Sequence, residues 1–245
     1  MLALNKRGFL NGHTPFSALV AFSSVLAAYV NGLDDVALSN EASANEVTVH
    51  GSDVNHQYSK SFEFEQDFAA YEQQFLGTGV RYFSLLRPLA EVKIAQLFAR
   101  HKQYYPVFQS CNIGSKTDSW CASCAKCLFV YAILAPFVPE DELVGILGRN
   151  LLDAPELGEL FDQLIGLRPE KPFECVGSCD EMCAALRVVL AQYRAQQKPL
   201  PALLARFERI DLPAGEPLDA LLNRLYPDHA VPAEYFHLLQ ERTAE

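Results

Sequence analysis

Four cysteines, Cys111, Cys121, Cys124 and Cys127, stand in a C-x9-C-x2-C-x2-C run, and no other feature limits the fold of this chain so sharply. Four thiolates meet the tetrahedral demand of a structural zinc ion, whose Zn–S bonds are about 2.3 Å long. Cysteines at i, i+3 and i+6 cannot all face one ion from a regular helix. The stretch after Trp120 is therefore expected to be a tight loop or 3₁₀ turn. Two other readings share the spacing. A cubane iron–sulfur cluster also takes four thiolates from C-x2-C-x2-C runs, and small Cys side chains pack readily on a buried helix.

The other three cysteines, Cys175, Cys179 and Cys183, form a second group. An odd total in two clusters argues against a disulfide framework and for reduced thiols in a cytoplasmic setting. Half of the 245 residues are apolar, which excludes a disordered or fibrous chain. Thirty acidic against 20 basic residues leave a formal charge of -10. That is the wrong sign for sequence-independent nucleic-acid binding, and no nucleic-acid partner is expected.

Lys6 and Arg7 ahead of the apolar run Pro15 to Val30 superficially resemble a secretory signal. Asn11-Gly12-His13-Thr14 interrupts the two parts, no A-x-A site follows, and the run is too short to span a bilayer. With Thr14 as N-cap and Pro15 at N1 it reads as a buried helix. Val36-Ala37-Leu38 is a candidate buried strand, and Val47 to Val54 a hairpin. A helix follows from Ser61 to Gly77, another opens at Pro88 and runs to about His101, and Val107-Phe108 is a further strand candidate. Beyond Cys121 the patterns are helical and punctuated by Pro and Gly. The expected architecture is α/β, a partial Rossmann-like layer followed by a mostly helical portion. Its division is 1–135, with the cysteine site, and 136–245.

The densest polar stretches are Ser39-Asn40-Glu41-Ala42-Ser43-Ala44-Asn45-Glu46 and Asn55-His56-Gln57-Tyr58-Ser59-Lys60-Ser61. Their side chains donate and accept hydrogen bonds with fixed geometry. The first leaves a strand end, where open α/β sheets bind ligands. Glu41 and Glu46 could hold hydrated magnesium, and His56 with Lys60 could meet anionic oxygens. A well-capped polar loop is the plainer reading. Cys175 precedes a helix capped by Ser178, where a helix N-terminus favours an anion or a thiolate. Cys179 and Cys183 then fall at core spacing.

Phe9-Leu10-Asn11-Gly12-His13-Thr14-Pro15-Phe16-Ser17-Ala18 resembles a segment of the bacterial UDP-N-acetylmuramoyl-L-alanyl-L-glutamate epimerases. Both polar stretches, Trp120-Cys121-Ala122-Ser123-Cys124-Ala125-Lys126-Cys127 and Phe173-Glu174-Cys175-Val176-Gly177 continue the likeness. The cysteine spacing is also similar to that of 7-cyano-7-deazaguanine synthases, zinc-binding relatives with an ATP-pyrophosphatase fold. The resemblance implies ATP- and magnesium-dependent inversion of the terminal L-glutamate of UDP-MurNAc-L-Ala-L-Glu in peptidoglycan precursor synthesis. Cys175 and His56 are candidates for the two proton-transfer groups, with His56 equally a candidate for contacting phosphate or substrate. Asn11, His13, Ser39, Asn40, Glu41, Asn45, Glu46, Tyr58, Ser59 and Lys60 become candidates for holding substrate or nucleotide. Family members are longer at the N-terminus, where a Ser-Gly-Gly-x-Asp-Ser type loop would hold the pyrophosphate. Here Gly8, Gly12 and Gly32 are isolated, so the chain reads as the C-terminal portion. A separate ATP-loop segment or a second copy are then candidate partners. A related carboxylate-adenylating enzyme and a non-catalytic zinc-bearing subunit are the alternatives.

Overall fold

The computed structural model describes residues 7, 16–46, 55, 57–172 and 174–243. The readings of Asn11, His13, His56, Thr14, Pro15 and the hairpin 47–54 lie outside them. Fifteen residues without charge, Gly or Pro form α1 (Phe16–Val30), which turns at Gly32 into β1 (Asp35–Leu38). Ser61 caps α2 (Phe62–Tyr71) by accepting from the Phe64 amide at 3.2 Å, with Glu63 and Glu65 favourably placed in the first turn. A π-helical turn, Glu72–Leu76, extends α2 to Gly77. The Glu72 carboxylate then accepts from the Thr78 amide at 2.6 Å and the Gly79 amide at 3.1 Å. Those bonds return the chain into β2 (Arg81–Ser84).

β1 and β2 pair in parallel, Asp35 opposite Arg81 and Leu38 opposite Ser84. The result is one β-α-β crossover and a two-stranded sheet among the described residues. The protein is thus mixed α/β and mostly helical. The strand at Val36-Ala37-Leu38 forms, but half-buried with Ala37 exposed, because a two-stranded sheet covers neither face of β1 fully. α1 corrects its expectation similarly: it buries Ala21, Val25 and Ala28 and leaves its larger side chains out.

Leu89 makes an isolated bridge with Leu225, and the Pro88 carbonyl accepts from the Tyr226 amide at 2.8 Å. That pairing holds the backbone extended, so α3 (Glu91–Ala99) begins three residues after Pro88. Val107-Phe108 is not a strand. The Phe108 carbonyl is taken by the Trp120 indole at 3.1 Å, and its ring packs on Phe98 and Trp120. Pro106 also removes a donor from any ladder there.

The remaining helices follow the apolar periodicity: α4 (Ala125–Leu134), α5 (Glu140–Leu147), α6 (Gly158–Leu164), α7 (Cys179–Ala195), α8 (Ala202–Glu208), α9 (Leu218–Leu222) and α10 (Ala233–Thr243). α4 is buried nearly all round and packs against α3, α6 and α7. One apolar cluster joins α1, α2 and β2 through Val25, Phe68 and Tyr82; a larger one runs from Ala90 to Leu221. α10 returns to the sheet, where Tyr235 donates to Asp35 at 2.9 Å and Glu234 meets Arg81 at 2.8 Å. No helix among the described residues is long and apolar enough to cross a membrane.

Candidate active site and metal centre

The four cysteines of the run converge, with every Sγ within 4.8 Å of the others. Individual separations are 4.0 Å for Cys111–Cys124, 3.6 Å for Cys121–Cys127 and 3.5 Å for Cys124–Cys127. A tetrahedron with 2.3 Å arms has edges of about 3.8 Å, so the cage suits a single ion bound by thiolates. Cys121 and Cys124 lie in the bends before α4, and only Cys127 is on the helix, as the spacing required. Ala122 takes φ 52° to make this turn, and Arg149 clamps its carbonyl at 2.7 Å. Gly114 has no alternative in the facing loop, because a Cβ there would overlap the Ser119 carbonyl. Its amide donates to Cys111 Sγ at 3.2 Å. Burial opposes ionisation of Cys121, yet hydrogen bonds led by those of Ser123 hold its thiol down to about 6. Cys124 is pushed up by its hydrogen bond to Cys127 and by burial. The cluster is compatible with zinc.

The two polar stretches meet around Arg87, a fully buried side chain. Its guanidinium donates to the Glu41 carbonyl at 2.8 Å, the Lys60 carbonyl at 2.5 Å and the Glu65 carboxylate at 2.7 Å. Asn45 reaches across as well, accepting from the Phe62 amide at 2.8 Å, and Asn55 donates to the Ala44 carbonyl at 2.9 Å. Asn40 bonds Ser84 at 3.0 Å, at the end of β2. Held this way, Lys60 places its Nζ 3.0 Å from Cys175 Sγ, a contact between residues 115 positions apart.

Carboxylates gather around Ser43 and the start of α3. Ser43 donates to Glu41 at 3.1 Å and to Glu91 at 3.4 Å, and Glu181 accepts from the Val92 amide at 2.8 Å. Burial, with the Glu41 and Glu181 charges added, pushes Glu91 well above the usual carboxylate range. Burial likewise raises Glu181 to about 7. Glu46 is engaged by Lys171 at 2.7 Å. Gly177 admits Glu91 to this corner, since a Cβ there would overlap the Glu91 carboxylate and come within 2.5 Å of the Phe129 ring.

Not every expected residue joins. The Tyr58 hydroxyl is tied to Asp67 on α2, a bond that raises Tyr58 to about 12. Ser39 is exposed past the end of β1, and Ser59 is half-buried within the turn Tyr58–Lys60. Burial raises the thiols of Cys179 and Cys183; Cys183 lies in the core and Cys179 is half-buried at its edge. Arg87, Glu91, Lys171 and Glu181 were not among the sequence candidates. Two signals were legible: a lone arginine inside Leu85-Leu86-Arg87-Pro88-Leu89, and Ser178-x-x-Glu181 as a capping box. The Ser178 half of that box forms at 3.1 Å, but the Glu181 carboxylate turns to Val92 instead. A small cleft of 290 Å³ lined by Ala125, Gln163, Lys171 and Glu174 opens beside this cluster. A groove of 820 Å³ elsewhere is lined by Tyr131, Phe137, Tyr193 and other residues and contains none of the sequence candidates.

Residues 1–85 match the family model of the MurL N-terminal domain, and residues 107–211 match that of the MurL C-terminal domain. The chain belongs to the MurL family. It is 40% identical over 247 residues to the UDP-N-acetyl-alpha-D-muramoyl-L-alanyl-L-glutamate epimerase of Xanthomonas oryzae pv. oryzae, covering 95% of this chain and 53% of that protein. A protein of the same name from Salinispora tropica is 38% identical over 207 residues, 82% of this chain and 45% of the relative. The chain therefore spans about half the length of the curated relatives it matches. No solved structure matches it. Within the MurL framework the polar stretches fall in the N-terminal match, and Cys175 with the four-cysteine cluster falls in the C-terminal match. Arg87 and Glu91 lie between the two matches, where the site is joined.

Proposed function

We propose that this chain carries the proton-transfer side of an ATP-dependent epimerase that inverts the terminal L-glutamate of UDP-MurNAc-L-Ala-L-Glu. The observation that carries the reading is the Lys60–Cys175 contact at 3.0 Å, which joins the second polar stretch to the segment before α7. The names of the MurL relatives support the substrate.

The α-proton of a free glutamate carboxylate is hard to remove, because the resulting carbanion adds charge beside charge. Conversion of the carboxylate to an acyl-adenylate, with loss of pyrophosphate, removes that charge and lets the carbonyl take up the electron pair. One group then removes the α-proton from one face, and a second returns a proton to the other. Hydrolysis frees AMP and the inverted carboxylate. Cys175 is the group proposed for one face, with Lys60 passing protons to and from its sulfur; His56 is proposed for the other. Asn11, His13, Ser39, Asn40, Asn45, Tyr58 and Ser59 are proposed for substrate or nucleotide contacts. ATP and magnesium come from the resemblance. Glu46 is already held by Lys171 and Glu41 by Ser43, so this pair is not free as a magnesium site and no step is assigned to it.

Cys111, Cys121, Cys124 and Cys127 would hold zinc in a structural role, tying the loop before α4 to the helix. The Rossmann-like, ATP-pyrophosphatase-type extension of the small parallel sheet, the division near residue 135 and a cytoplasmic setting belong to the same proposal. The odd number of cysteines and their grouping in two clusters support a reducing compartment.

The test follows inversion by chiral analysis of the terminal glutamate, with AMP release in parallel. Inversion is expected when this chain is combined with the portion of the relatives that it does not span, and none from the chain alone. Cys175→Ser should abolish inversion while AMP release persists, since adenylation precedes proton transfer. Undiminished inversion by Cys175→Ser overturns the role of Cys175. AMP release without inversion by the unaltered protein favours a related adenylating enzyme.

A further inference from the structure

α1 is packed the wrong way round for a helix at the outer surface of a finished domain. Its inward face consists of Ala21, Val25 and Ala28, all small, while Leu19, Leu26 and Val30 are 59%, 62% and 73% exposed. Leu19, Leu26 and Val30 form a stripe away from the buried face at helical spacing, and Phe22 and Tyr29 flank them, Phe22 resting its ring edge-on against the core ring of Phe68 at 5.0 Å. The helix has no acidic residue in its first turn and no basic residue in its last. The stripe continues onto the end of α2. Phe22 meets Tyr71 with ring centroids 5.5 Å apart, and Tyr71 meets Phe75 at 4.9 Å. Phe75 itself is 64% exposed.

Weighted by their exposures, and with about 150–250 Å² per aromatic side chain, the residues of this face leave about 700 Å² of apolar surface open. Monomeric soluble proteins rarely show a patch above about 300–600 Å², and a stable interface needs about 800 Å² from each partner. The adjoining sheet points the same way. Purely parallel sheets occur almost only with both faces covered, yet β1 is half-exposed. The matched MurL relatives are about twice as long as the stretch shared with this chain, 53% of the Xanthomonas oryzae protein being covered.

We infer that the Leu19–Phe22–Leu26–Tyr29 face of α1, continued by Phe75, is the docking surface for the part of the MurL polypeptide that the relatives carry outside the matched stretch. The occupant presents an apolar face to α1, because the stripe offers no charge for a polar partner to answer. Docking there covers the helix, and through it the β1–β2 layer that carries the polar stretches toward Cys175.

The experiment places single cysteines in this 245-residue chain and in the full-length Xanthomonas oryzae relative, and reads maleimide labelling site by site by peptide mass. Leu26→Cys in this chain should react as an open thiol. The matching position in the full-length Xanthomonas oryzae relative should react on the order of a hundredfold more slowly, at the rate of transient opening. Ala28→Cys is the buried control in both, and Tyr29→Cys is the second probe where Leu26→Cys disturbs folding. Equal labelling of the two proteins at both probes overturns the proposal. Protection in this chain that grows with its own concentration assigns the face to a second copy, and protection only with lipid vesicles assigns it to a membrane. Either result also overturns it. No turnover is read, so the outcome is independent of the roles proposed for Cys175 and Lys60.

Discussion

Replacing Glu181 by Gln should stabilise the protein in a way that depends on pH. Glu181 is 2% exposed and accepts one backbone hydrogen bond, from Val92 at 2.8 Å. Burial raises its carboxyl from an ordinary 4.5 to about 7. An acid raised in the folded state binds its proton more tightly there than in the unfolded chain. Below the unfolded value both states are protonated and the group is neutral to stability. As pH climbs from 4.5 toward 7 the unfolded chain ionises first, so stability falls, and above that range the loss is constant. A difference of ~2.5 pH units at about 1.36 kcal/mol each gives about 3 kcal/mol. Gln keeps an oxygen for the Val92 amide and has no charge to bury. The Glu181→Gln advantage should therefore grow by about 2.5 kcal/mol between about pH 5 and about pH 8. Relief of the neighbouring Glu91, whose carboxyl Glu181 also raises, acts in the same direction. Urea unfolding of both proteins across that range measures it. A stability difference that stays flat with pH would refute the reasoning, because it would mean that the carboxylate is hydrated in the folded protein. A carboxyl retained at such a cost is the kind found where a proton must be held or moved.

Protein purified without metal-affinity steps should contain one zinc per chain, read by elemental analysis. Cys124→Ser should lose it and lower the thermal midpoint; equal metal at an unchanged midpoint counts against the cage. Glu65→Ala strands the buried Arg87, whose guanidinium meets the Glu65 carboxylate at 2.7 Å, and should cost about 3–5 kcal/mol in urea unfolding. A loss below about 1 kcal/mol would place the pair in solvent. Gly177→Ala forces a methyl group against Glu91 and Phe129 and should cost about 1–3 kcal/mol, with wild-type stability contradicting the close packing of that corner.

The local features of this chain were legible in its sequence. The helices from Ala125 onward, the Ser61 and Ser178 caps and the break before Cys127 follow from neighbours a few residues apart, whose preferences act along the backbone. The four-cysteine spacing belongs here too, because one ion constrains a short segment. The polar stretches stood out by composition, but their convergence did not. Lys60 meets Cys175, Lys171 meets Glu46, and Glu181 meets Val92, all across long separations in the chain. Only the β-α-β crossover and the packing of α3 on α7 bring these groups together. The same holds for Arg87, which in sequence is one charge in an apolar run and in space ties both stretches together. α1 shows the limit from the other side. Its lack of charge predicts burial, and tertiary packing decided which face is buried, because Ala21, Val25 and Ala28 allow the close approach that the larger side chains on the opposite face would block.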